Sequence, residues 1–110
     1  MKKFADAFQG LSLVLCHKAV RIQFLLAVLA IIGGAVIRLD YGEWLAYLVM
    51  ITMVLTAEVF NTAVERIGDA LNGEYDVRIK EIKDISAAAV LLSSMGALAV
   101  CLISVIRRLL

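Results

Sequence analysis

A chain of 110 residues has room for one domain at most. It is 63% hydrophobic, has a mean hydropathy of +0.94 and contains no proline, which excludes intrinsic disorder and argues against a water-soluble monomer. Eleven basic against ten acidic residues leave a net charge of +1, with no bias towards nucleic acid, and the two cysteines, Cys16 and Cys101, match neither a zinc spacing nor a disulfide framework.

The first predicted element is an amphipathic helix over residues 3–17. Phe4, Phe8, Leu11 and Leu15 recur at i, i+4, i+7 and i+11, while Lys2, Lys3, Asp6, Gln9 and Ser12 occupy the other faces. Such a helix lies on the inner leaflet of a membrane. Asp6 and Gln9 interrupt any early apolar core and no cleavage-like site follows, so the segment does not read as a secretory signal. The surface region as a whole is taken as residues 1–21.

Three apolar stretches follow, at 22–37, 44–64 and 85–106. A membrane-spanning helix needs about 17–25 residues, which the second and third satisfy. The first reaches adequate length if Ala19 and Val20 are added and Arg21 snorkels. No repeat or linker divides the chain, so residues 1–110 read as a single all-α membrane unit with one surface helix and three transmembrane helices. Along the third span Ser86, Ala89, Ser93 and Gly96 or Ala97 place small residues on one face, which favours close helix packing in lipid. Three helices close poorly on themselves, and a homo-oligomer is expected.

Basic residues set the orientation. Lys2, Lys3, Lys18 and Arg21 precede the first span, and Arg66, Arg78, Lys80 and Lys83 lie between the second and third. Against these eight, Arg38, Arg107 and Arg108 make three at the other side. The rule that positive loops stay inside places the N-terminus in the cytoplasm and the C-terminus outside, with Tyr41 and Trp44 at the outer boundary.

The chemistry concentrates in the second span and the loop after it. Glu58, Asn61, Glu65, Asp69 and Asn72 follow at helical spacing along one face, running out of the apolar stretch into the cytoplasm. A carboxylate at membrane depth costs a few kcal/mol, so Glu58 is expected to face the protein interior with a partner. Acidic stripes of this kind ligate hard divalent cations, and Mg²⁺ typically takes one or two carboxylates together with phosphate oxygens. Glu65 and Asp69 are equally readable as a solvated loop margin paired with Arg66 or Lys80. Lys83, immediately before the third span, is either an interfacial anchor or a point charge for phosphate. No glycine-rich phosphate loop and no protein-kinase signature is present, so a nucleotide site would have to be built on membrane helices.

The block Glu58-Val-Phe-Asn61-Thr-Ala-Val-Glu65, followed eighteen residues later by Lys83-Asp84-Ile-Ser-Ala-Ala-Ala-Val, closely resembles the prokaryotic diacylglycerol kinase family, which includes the undecaprenol kinases of Gram-positive bacteria. The resemblance covers nearly the whole chain. It implies a homotrimer in the bacterial cytoplasmic (inner) membrane that phosphorylates a lipid primary hydroxyl with Mg-ATP, at sites shared between subunits. By position, it implies Glu58 as catalytic base, Asn61 as its supporting amide and Glu65 as the carboxylate for the metal at ATP. Glu74, Tyr75 and Asp76 match a nucleotide-contacting turn, and Lys83 with Asp84 the pair that holds ATP. One position departs: the family's second metal-binding glutamate falls on His17 here, and imidazole is a poor ligand for Mg²⁺. Two other readings stay open. A proton-coupled transporter would use Glu58 as its ion carrier but leaves the Asn61–Glu65 stripe and Lys83-Asp84 without a role, and a catalytically weakened scaffold would account for His17.

Overall fold

The computed structural model describes residues 2–71 and 76–110, and the chain folds into four helices in the order α1 (Lys2–Val14), α2 (Lys18–Val36), α3 (Tyr41–Leu71) and α4 (Val77–Leu109). The last three are long and apolar enough to cross a membrane. At 1.5 Å per residue, α4 is about 50 Å long, which sets the longest dimension of the molecule at 54 Å. The second and third expected spans therefore sit inside longer helices, while the first overlaps α2 and ends one residue beyond it, at the C-cap Ile37. Hydropathy marks the stretch suited to hydrocarbon, whereas backbone hydrogen bonding carries α3 on through Glu65 and Asp69 to Leu71.

The chain breaks between α1 and α2 at residues 15–17, earlier than the expected margin at Arg21. The amides of Cys16 and His17 turn back to the carbonyls of Leu13 and Val14, at 3.2 and 2.9 Å. His17 then takes an extended conformation as the N-cap of α2, with no side-chain capping bond. Ala19, Val20 and Arg21 all belong to α2, so the first apolar stretch gains the length it needs.

Helix α2 ends in a tight reversal. The amide of Leu39 bonds the carbonyl of Gly34 at 3.1 Å and that of Arg38 bonds Ala35 at 3.3 Å, the pair of bonds that satisfies otherwise orphaned carbonyls at a helix end. The reversal forces Arg38 to φ 58°, a left-handed conformation more usual for glycine. Helix α3 starts at once behind a reciprocal cap. The Glu43 amide donates to the Asp40 carboxylate at 2.9 Å, and the Asp40 amide donates to the Glu43 carboxylate at 3.1 Å.

Helix α3 is the hub, packing along α4 and, over a shorter length, against α2. The small-residue face of α4 is partly spent on this internal seam: a Cβ at Gly96 would come within 2.7 Å of Met50 Cε. Most of the remaining apolar surface faces outwards in the single chain, with Leu25, Phe60 and Leu92 58%, 69% and 69% exposed. That surface suits lipid tails or further copies of the chain.

The end opposite the α3–α4 connection is fastened by arginine. Arg108 donates both terminal nitrogens to the Glu43 carboxylate, each at 2.6 Å, and also reaches the carbonyls of Ile37, Arg38 and Ser104. Arg107 pairs with Asp40 at 3.2 Å. The C-terminal arginines thus have acidic partners at their own end of the molecule.

Candidate active site

Glu58 is buried in the apolar part of α3, 5% exposed. Its carboxylate receives a long hydrogen bond, 3.5 Å, from the amide of Gln23 on α2, the polar partner an acid at this depth requires. Thr62, one turn on, returns its hydroxyl to the Glu58 carbonyl at 2.9 Å and presents no competing donor to the carboxylate. Asn61 is buried as well, and its side-chain oxygen accepts a hydrogen bond from the hydroxyl of Ser86 on α4. Glu58 and Asn61 therefore occupy the inward face that their spacing predicts.

Further along α3 the face opens to solvent. Glu65 is exposed, about 10 Å along the helix from Glu58, and among the described residues its carboxylate has no ion-pair partner. Asp69 receives the ammonium of Lys83 at 2.6 Å. The Lys83 stem reaches it by crossing Gly68, where an added Cβ would lie 2.8 Å from Lys83 Cε and 3.0 Å from Ile79 Cγ2. Glycine at 68 is what lets α4 come this close to α3.

Lys83 and Asp84 take different ion-pair partners. Lys83 turns to Asp69 on α3, while Asp84 takes Lys80 one turn back along α4 at 2.6 Å. Consecutive helical residues point in different directions, so adjacency in sequence does not bring them together. Asp76 caps α4, accepting from the Arg78 amide at 2.9 Å and pairing with its guanidinium at 3.1 Å. The hydrogen bond from Arg78 holds the Asp76 carboxyl below the usual carboxylate range. Glu74 and Tyr75, and with them Asn72, lie outside the described residues. His17 is half-buried at the start of α2, and among the described residues its ring makes no hydrogen bond.

Whether Mg²⁺ suits these residues turns on the donor set. Among the described residues no three His, Cys, Asp or Glu side chains gather closely enough to hold a metal ion. Glu65 nevertheless supplies a hard, accessible carboxylate with no ion-pair partner among the described residues, which fits the arrangement in which one or two carboxylates and substrate phosphates share the ion.

Three residues of the site have no functional role assigned from the sequence: Gln23, Ser86 and Gly68. Gln23 stands out in sequence as the lone strongly polar residue of its apolar stretch, which is signal enough to look for a partner. Ser86 reads only as a small packing residue, and Gly68 carries no local sign of the lysine that crosses it.

Fold and site together define a multi-pass helical membrane protein with a buried acid that leads, along one helix, to an exposed carboxylate and a lysine. The family model of prokaryotic diacylglycerol kinase matches residues 5–105, and the chain belongs to that family, a family of lipid kinases. No curated protein matches the chain.

Proposed function

We propose that this chain transfers the terminal phosphoryl group of ATP to the primary hydroxyl of a membrane lipid, either diacylglycerol or undecaprenol. Membership of the lipid-kinase family supports the reaction class. The observation that carries the residue assignment is Glu58, a carboxylate 5% exposed within an apolar helix, with Asn61 and Lys83 held towards the polar end. Phosphoryl transfer asks little covalent chemistry of a protein; it needs positioning, charge neutralisation and a modest base.

In this reading Glu58 takes the proton of the lipid hydroxyl as the oxygen attacks phosphorus, and Gln23 steadies the acceptor carboxylate. Asn61 donates to the reacting region through its amide nitrogen. Lys83, whose ammonium has three donors, keeps one on Asp69 and turns the others to phosphate oxygens. Asp76 and Asp84, with Glu74 and Tyr75, complete the nucleotide contacts. Glu65 would hold Mg²⁺, which when bound neutralises phosphate charge. Residues 1–110 act as one domain, with α1 on the inner leaflet, the N-terminus in the cytoplasm, and three copies assembled in the bacterial inner membrane to share sites.

The direct test is incubation of purified protein with Mg-[γ-³²P]ATP and each lipid in mixed micelles, followed by separation of the products. Label in phosphatidic acid or undecaprenyl phosphate is the expected result and names the lipid. ATP consumption indifferent to added lipid, or none at all, returns the chain to the transporter or scaffold reading. Glu65→Gln should then raise the Mg²⁺ concentration needed for half-maximal activity, with kcat largely kept at saturating metal. A magnesium titration superimposable on wild type would remove Glu65 from the metal role.

A further inference from the structure

Helix α4 touches the buried acidic face of α3 at a residue to which the family resemblance assigns no role. Ser86 lies three residues after Lys83, on the same side of α4. Its hydroxyl donates to the side-chain oxygen of Asn61, which is 9% exposed. An asparagine amide has one acceptor oxygen and one nitrogen carrying two donor hydrogens, and at a buried site the two poles face different neighbours. Engaging the oxygen from α4 leaves the nitrogen as the pole for whatever lies on the other side.

We infer that Ser86 is a positioning residue that fixes the polarity of the Asn61 amide, so that Asn61 offers hydrogen-bond donors, not its oxygen, to the reacting groups. The inference rests on the kinase reading of the site. The groups concerned are anionic or oxygen-rich: the Glu58 carboxylate one turn earlier on the same face, and the phosphoryl group arriving from the Lys83 side. A donor nitrogen attracts both, whereas a reversed amide would set an oxygen against them in a setting of low dielectric, where the repulsion is poorly screened. Without the hydroxyl the amide oxygen also loses its buried partner and can regain one only by turning. Helix α4 thereby contributes two residues one turn apart, Lys83 for the nucleotide phosphates and Ser86 for the orientation of the amide beside the base.

The test is a double-substitution cycle read in steady-state lipid phosphorylation. Ser86→Ala is expected to lower kcat about tenfold, the order expected for one hydrogen bond acting only in the transition state, with KM for ATP little changed. Ser86→Thr keeps the hydroxyl and should retain most of the activity, a rescue that a packing role for the small side chain would not produce. Asn61→Ala should cost more than Ser86→Ala, and the Asn61→Ala/Ser86→Ala pair should be no worse than Asn61→Ala alone, because Ser86 acts through Asn61. Normal kcat in Ser86→Ala, failure of Ser86→Thr to rescue, or losses that multiply in the pair would each overturn the inference while leaving the kinase reading intact. An Asn61→Ala enzyme as active as wild type, or a wild type that phosphorylates neither lipid, would instead defeat the reading beneath it.

Discussion

Glu58→Gln is expected to lower lipid phosphorylation by at least about a hundredfold, the lower end of what a positioned general base contributes, while the protein still assembles in detergent as wild type does. The substitution keeps the shape of the side chain and one oxygen able to accept from Gln23, whose contact at 3.5 Å is too long to hold the fold together. What disappears is the second carboxylate oxygen and the capacity to take a proton. Because the side chain is 5% exposed and lies in the apolar part of α3, bulk water is poorly placed to replace it. The loss should fall on kcat, since the proposed function gives ATP binding to other residues, nearer the solvent end. Near-normal turnover in a well-assembled Glu58→Gln protein would remove Glu58 from the base role. A transporter would also suffer from this change, but its wild type would show no lipid-dependent consumption of ATP.

The parts of this architecture legible in the sequence are those with a local cost or period. Glu58 and Asn61 announce themselves because polar groups in an apolar helix are expensive, and both are buried where their spacing places them. The three long helices follow from runs of apolar residues. Their ends do not, because a helix continues past the hydrocarbon boundary wherever nothing breaks it, as α3 does from Val64 to Leu71. The break at residues 15–17 is set by backbone turns with no proline or glycine to mark them. Pairings between distant residues are harder still. Lys83 and Asp84 are neighbours in sequence, and adjacency does not reveal that their side chains reach Asp69 and Lys80 respectively. Ser86 meets Asn61 and Gln23 meets Glu58 across helices, and no spacing within either segment encodes such contacts. At the other end, Asp40-Tyr-Gly-Glu43 ahead of an apolar run is a local signal of a capped helix start, but nothing in it specifies that Glu43 waits for Arg108.

Arg108→Leu is the substitution expected to damage the fold most. Arg108 holds five acceptors: both oxygens of Glu43 and the carbonyls of Ile37, Arg38 and Ser104. Through them the last turn of α4 grips the α2–α3 reversal, where Arg38 sits at φ 58°. Leucine leaves Glu43, 9% exposed, without its guanidinium and leaves the reversal without its external donors. Removing one partner of a well-formed, largely desolvated pair costs more than the pair was worth, because the remaining charge keeps its desolvation penalty. The detergent-solubilised protein should therefore unfold at a clearly lower temperature. Arg108→Lys should fall between the two, since an ammonium cannot reproduce the paired donation of a planar guanidinium. Activity measured well below the new Tm should fall less than stability, because the residues proposed for catalysis, Glu58, Asn61 and Lys83, lie away from this end of α3 and α4. An Arg108→Leu protein with wild-type Tm would show that this end is held by helix packing alone. Arg108→Lys matching wild type would show that charge, and not the forked geometry, is what matters there.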